Sequence, residues 1–250
     1  MRDLLKQSIP NVTDEACDKF VAYYDLLIDW NTRMNLTAIT APEDVVKKHF
    51  YDSLAALPYL ADGSKIADVG TGAGFPAIPL LIMNPTLCVT LVDSLNKRIT
   101  FLRAVLDELG LSAACVHARA EEFGRDPACR GRFDATVSRA VAALPTLLEL
   151  TVPLLKVGGK AYCYKGDVKE ELPTAKNALH LLHCTAEAVP VAADYGARTL
   201  VICTKNAPTP SAYPRKPGTP GKNPLEHKDC WEARQNSRFR PEAILRYANG

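Results

Sequence analysis

The chain has 250 residues, 47% apolar and 23% charged, with a net charge of +2. That is enough apolar material for one α/β domain with an added element, and too little net charge to make polyanion binding a global property. No apolar run reaches membrane-spanning length and the eight cysteines never fall as C-x-x-C, which argues against a bilayer span, a zinc site or a disulfide framework.

The charge is uneven, however. Lys205–Gly250 holds nine Lys or Arg against four acids, an excess of +5 that leaves −3 for the rest. Such asymmetry points toward a polyanion partner, although a merely soluble tail explains it equally well. The opening MRDLLKQSIPNVTDEAC lacks the apolar stretch of a secretion signal, so a reducing, cytoplasmic setting is expected. Cys88, Cys115, Cys163 and Cys203 lie in apolar strand-like runs and are expected to be small buried hydrophobes. His180 and His183 share a helix face without a third ligand nearby, which makes them surface residues.

Along the chain, Thr13-Asp-Glu supplies a cap and acids for a helix start, and Phe20, Tyr23, Tyr24, Leu27 and Trp30 form its stripe. WNTRMNLTAI (30–39) breaks that helix with polar turn residues, and Pro42 opens a second one through VVKKHFYDSLAALPYL. Strand-like runs then follow at 65–70, 88–93, 114–118, 133–138, 160–165, 186–191 and 199–204. Helical stretches separate the first five, including 96–110, which ends on a capping glycine, and 144–159. Strand alternating with helix implies a parallel sheet covered on both faces, and the last two strands, joined by a short turn at 194–197, imply a hairpin with one antiparallel member. APTPSAYPRKPGTPGKNPL (207–225) should run extended outside the core. The expected division is a helical extension over 1–62, a Rossmann-like core over 63–206 and a basic Pro/Gly-rich tail over 207–250.

Between the first strand and its helix stands IADVGTGAGFPAIPL (66–80). Gly70, Gly72 and Gly74 can take backbone angles closed to other residues and bring the main chain against a ligand. A dinucleotide fingerprint wants glycine at its sixth position, where Phe75 stands, and a phosphate P-loop wants Gly-Lys-Ser/Thr, which is absent. A nucleoside without phosphates remains. Asp93, ending the next strand, is placed to accept hydrogen bonds from two ribose hydroxyls, and Asp68 could attract the ammonium of an amino-acid tail. S-adenosylmethionine fits that description.

The motifs WNTRMNLTAI, KKHFYDSLAAL, ADVGTGAGFPAIPL, LVDSLNKRITFL, ARAEEF, FDATVSRA and YPRKPGTPGKNPL together resemble the bacterial small-subunit rRNA methyltransferase G family, also called glucose-inhibited division protein B. The likeness runs from about Trp30 to Leu225. It implies a class I methyltransferase fold with a seven-stranded sheet and a helical N-terminal extension. It also implies S-adenosylmethionine as cofactor and N7 of a guanine in the 530 loop of 16S rRNA as target. Carried onto this chain, it implies cofactor contacts from Gly70, Gly72 and Phe75, from Ala120 and Glu121, and from Arg139, with Asp93 at the ribose. Ala73 stands where the family often has proline, and the segment after Leu225 extends past the family's usual end with no role to assign.

The end of the fourth strand bears on the chemistry. It reads Ser138-Arg139-Ala140, with neither the Asn/Asp-Pro-Pro-aromatic motif of exocyclic amine methylation nor a Pro-Cys nucleophile. Guanine N7 has an in-plane lone pair and no proton to lose, so positioning would suffice. N7 lies in the narrow major groove of A-form RNA, which points to an unpaired or flipped base in 16S rRNA or the 30S particle. Arg215, Lys216 and Lys222 would then track phosphates. Two readings compete: a small-molecule methyltransferase, and a nucleotide-binding module or oxidoreductase without methyl transfer.

Overall fold

The computed structural model describes residues 1–226. Two helices open it, α1 (Arg2–Ser8) and α2 (Asp14–Met34). Thr13 Oγ1 accepts the Ala16 N–H at 3.1 Å and starts α2, with Asp14 and Glu15 at the positive end of the helix dipole. Phe20, Tyr23 and Leu27 on its apolar stripe are wholly buried. The break expected at Trp30 does not occur. The polar residues there serve as helix surface, and α2 ends only where Asn35 takes a left-handed conformation at φ 50°. α3 (Pro42–Val45) begins on its proline and passes into a wide π-type stretch over Val46–Tyr51, then a 3₁₀ stretch over Leu54–Tyr59.

Seven strands follow: β1 (Lys65–Val69), β2 (Cys88–Asp93), β3 (Ala114–His117), β4 (Phe133–Arg139), β5 (Leu155–Lys165), β6 (Cys184–Pro190) and β7 (Thr199–Lys205). They form one sheet in the order β3-β2-β1-β4-β5-β7-β6. The first five are parallel, joined by crossovers carrying α4 (Ala77–Met83), α5 (Asn96–Leu109), α6 (Ala120–Arg125) and α7 (Leu144–Thr151), as parallel pairing requires. α8 (Glu171–Thr174) and α9 (Lys176–Leu181) lead to β6, and β7 runs antiparallel to both of its neighbours. The expected α/β architecture is therefore present.

The helix expected over 144–159 is shorter. Pro153 cannot continue it, a single 3₁₀ turn follows, and β5 already begins at Leu155, opposite Phe133. Cys163 and Cys203 are buried as expected, but Cys88 is exposed at the first position of its strand.

One apolar core lies under the N-terminal helices, where Phe20, Tyr23 and Phe50 pack with Ile66, Ile78 and Phe101. The extension therefore shares the core of the sheet. On the opposite face, Leu147 and Leu148 of α7 and Ala178 of α9 cover β5 and β7.

The segment from residue 207 is not free of the core. Arg215 makes a two-pronged ion pair with Glu149, whose side chain is fully buried, at 2.6 and 2.8 Å. Arg130 donates to the carbonyls of Thr209 and Tyr213, Arg125 to that of Pro214, and Thr146 to that of Pro220. A short helix, α10 (Thr219–Lys222), closes the segment, and Leu225 is buried. The extended tail predicted from its prolines is thus a strap bound across α6 and α7, because buried Glu149 needs a cation and Arg215 supplies it. The remainder of the basic tail lies outside the described residues.

Candidate active site

The turn after β1, the end of β2 and the end of β4 all lie at the carboxyl edge of the sheet, the ligand edge of such folds. Gly70 and Gly72 hold φ of +71° and +62°, conformations that L side chains rarely adopt. A Cβ at Gly70 would strike Val141 at 2.8 Å, whereas at Gly72 the nearest atom is the Gly70 oxygen at 4.0 Å. Gly72 is thus bare on its ligand side. Gly74 serves packing instead, since a Cβ there would come within 2.7 Å of the Tyr23 hydroxyl.

Asp93, only 3% exposed, holds this turn in shape. Its Oδ2 accepts the Gly72 N–H at 3.0 Å and an Arg98 N–H at 3.3 Å, and its Oδ1 accepts the Leu95 N–H at 2.9 Å. Asp68 also takes part in the turn. It is fully buried, and its Oδ2 accepts from Thr71 Oγ1 at 2.8 Å and from the Ala77 N–H at the start of α4. Burial pushes its carboxyl up to about 7, and its Oδ1 has no partner among the described residues.

Two cavities flank the turn and share Gly70, Arg98 and Ala140. The smaller, about 370 Å³, is walled by Asp93, Ala118, Ala120, Glu121, Val141 and Leu150. The larger, about 670 Å³, is walled by Gly72, Phe75, His49, Asp52, Arg139 and Arg198. Both sizes fall within the range of small-molecule sites. All seven expected residues line one cavity or the other. Glu121 has a further commitment, because its Oε1 accepts the Gly218 N–H of the strap at 2.8 Å.

In the larger cavity the residues form a layered stack. The His49 ring lies on Phe75 with centroids 4.6 Å apart, and the Arg139 guanidinium sits 5.0 Å from the same Phe75 ring. Arg139 Nη1 donates to the Lys48 carbonyl, one of those set apart by the π-type stretch, and to Asp52 Oδ2, both at 3.0 Å. Asp52 also accepts two bonds from Arg198, at 2.7 and 2.6 Å, and one from Tyr195. Burial, with the Arg139 charge second, holds His49 down at about 4, so its imidazole is neutral.

Sequence reasoning missed Tyr23, His49, Asp52 and Arg198. His49 and Asp52 sit within KKHFYDSLAAL, where a polar pair inside an apolar helix was a usable signal. Arg198 carried none, because its partner lies 146 residues away.

Comparison with known proteins decides what the cleft belongs to. The family described as rRNA small subunit methyltransferase G matches residues 16–201. Ribosomal RNA small subunit methyltransferase G of Desulfitobacterium hafniense is 49% identical over 86% of this chain and 91% of its own length. The namesake proteins of Streptococcus gordonii (47%; 89% of this chain, 97% of its own) and Acetivibrio thermocellus (46%; 86% and 91%) are similar to it as well.

The chain belongs to the rRNA small subunit methyltransferase G family.

Membership bears out the resemblance in its sequence and makes the chain a methyltransferase. Among solved structures, a methyltransferase from Pyrococcus furiosus superposes with a TM-score of 0.54 over 76% of this chain and 99% of its own, at 16% identity, which shows the shared fold. Among the described residues of this methyltransferase G family member, no cluster of His, Cys, Asp or Glu is arranged to hold a metal ion. No described helix is long and apolar enough to cross a membrane.

Proposed function

We propose that this enzyme transfers the methyl group of S-adenosylmethionine to N7 of a guanine in the 530 loop of 16S rRNA, in the cytoplasm, on the rRNA or the 30S particle. The observation that carries this reading is the paired cleft, one compartment with a carboxylate beside a bare glycine turn and a second, larger one meeting it at Gly70.

The residues present suit the cofactor. Asp93 uses its carboxylate on three N–H groups, and a carboxylate's roughly four lone-pair sites leave capacity for a ribose hydroxyl. Ala118, Ala120 and Val141 offer an apolar floor for adenine, with Glu121 at its edge. Gly70 and Gly72 allow close main-chain approach, and Phe75 and Arg139 wall the larger compartment. Bound there, the cofactor supplies an electrophilic methyl group on a sulfonium.

The protein's own task is orientation. Guanine N7 offers its lone pair without losing a proton, so the larger cavity needs no general base. Its titratable groups agree. His49, held down at about 4, is a weak base, Tyr164 is pushed far above the ordinary phenol range by burial, and Asp52 is bound by two guanidiniums. On this reading the chain's task is to hold the base in line with the methyl group. A flipped or looped-out guanine is the form that reaches such a compartment.

The test is transfer of labelled methyl from S-adenosylmethionine to 30S subunits taken from cells lacking the gene, followed by mapping of 7-methylguanine. One labelled guanine in the 530 loop is expected. Label in a metabolite and none in 16S rRNA would favour a small-molecule methyltransferase instead.

A further inference from the structure

We infer that Arg198 holds a backbone phosphate of the target nucleotide and that Asp52 is its positioning residue; this rests on the rRNA reading above. Because β7 runs antiparallel, its first residue, Thr199, pairs with Lys165 at the carboxyl end of β5. The 191–198 link between β6 and β7 therefore reaches the same sheet edge as the glycine turn, and Arg198 enters the larger cavity from it.

A charge count around that cavity singles out one triad. Lys48 is paired with Asp44 at 2.8 Å, Arg98 with Asp93 at 3.3 Å and Lys165 with Glu171 at 2.7 Å, and His49 is neutral. Arg139 and Arg198 share the single carboxylate of Asp52, at 3.0 and 2.6 Å. Among the groups lining the cavity, two guanidiniums therefore share one carboxylate. Arg198 commits Nε and Nη2 to Asp52, and its Nη1 donates to no described residue. Tyr195 adds a third bond to Asp52 at 3.2 Å, so the carboxylate fixes the guanidinium plane and leaves its Nη1 edge without a partner among the described residues.

An oxyanion satisfies that edge. Two are at hand in this reaction, the carboxylate of the cofactor's amino-acid tail and a phosphate of the RNA. Position favours the phosphate. Arg139 lies on Phe75 beside the glycine turn with its side chain 12% exposed, whereas Arg198, 22% exposed, comes from the β6–β7 link and lines both the larger cavity and the surface cleft along that link.

The experiment compares Arg198→Gln and Arg198→Lys with wild type, measuring binding to unmodified 30S subunits across a salt series and S-adenosylmethionine binding by calorimetry. The Gln variant is expected to lose roughly tenfold in RNA affinity, with the slope of log K against log salt flatter by about 0.7–0.9, one phosphate contact. The Lys variant keeps the charge and should keep the slope, which separates charge loss from misfolding. Cofactor affinity should stay at the wild-type value in both. An unchanged slope in Arg198→Gln would overturn the assignment and leave a structural staple. Lost cofactor affinity with an unmoved slope would overturn it in favour of the cofactor carboxylate. If wild type neither methylates the subunit nor binds it in a salt-dependent way, the rRNA reading itself fails.

Discussion

The Tyr23 hydroxyl, fully buried, donates to the carbonyl of Ala73, fifty residues further along the chain. A helix from the N-terminal extension is thereby fastened to the glycine turn itself. Tyr23→Phe leaves that carbonyl buried without its donor and should cost about 1–3 kcal/mol. A urea-unfolding midpoint measured against wild type checks this, and an unaltered midpoint would mean that the bond carries no weight.

On the proposed reading Asp93 serves both the turn and the ribose, and its removal takes away both. Asp93→Ala should raise the dissociation constant for S-adenosylmethionine, at a cost of about 1.5–3 kcal/mol for hydrogen bonds to a charged group. Calorimetry gives the number directly, and the ribose assignment is wrong if the affinity holds.

The strap yields a stability prediction. Arg215→Ala would leave Glu149, fully buried, without its cation, at a cost of about 3 kcal/mol. Thermal unfolding reads this out. Lys216 and Lys222 are the cations of this stretch still suited to phosphate. Neutralising both should flatten the salt dependence of RNA binding by up to about two slope units while leaving the melting temperature near wild type.

His49 predicts a pH dependence. Its folded value of about 4 lies below the ordinary 6.5, so the unfolded chain binds a proton in that interval which the folded chain does not. The contribution of neutral His49 is complete above pH 6.5 and is lost as pH falls toward 4, by roughly 3 kcal/mol across the interval. Asp68, pushed up to about 7, tilts the curve the other way, since its buried proton is lost with rising pH. The quantity to measure is therefore the stability difference between wild type and His49→Gln, in which Asp68 cancels. It should shrink from pH 7 to pH 4.5, and a constant difference would contradict a buried neutral imidazole.

Much of the fold could be read in the sequence because the signals were local. Apolar strand runs, a capping glycine at 110 and the glycine turn each announce themselves within a few residues. What escaped was settled at a distance. Polar residues after Trp30 suggested a turn, yet the helix tolerates them on its surface until Asn35. Prolines near 214 suggested a free tail, but the deciding residue, Glu149, lies 66 positions earlier. Spacing suggested Gly70, Gly72 and Asp93, and the family resemblance suggested Phe75, all of which line the paired cleft, whereas the Asp52 hub joins parts of the chain that no pattern links.

The reversal of β7 has a consequence for how this enzyme can diverge. It delivers the 191–198 link to the carboxyl edge of the sheet from a part of the gene remote from the one encoding the glycine turn and Asp93, the proposed nucleoside seat. Changes in length or wording of that link can retune what is grasped while the methyl donor's berth is inherited intact.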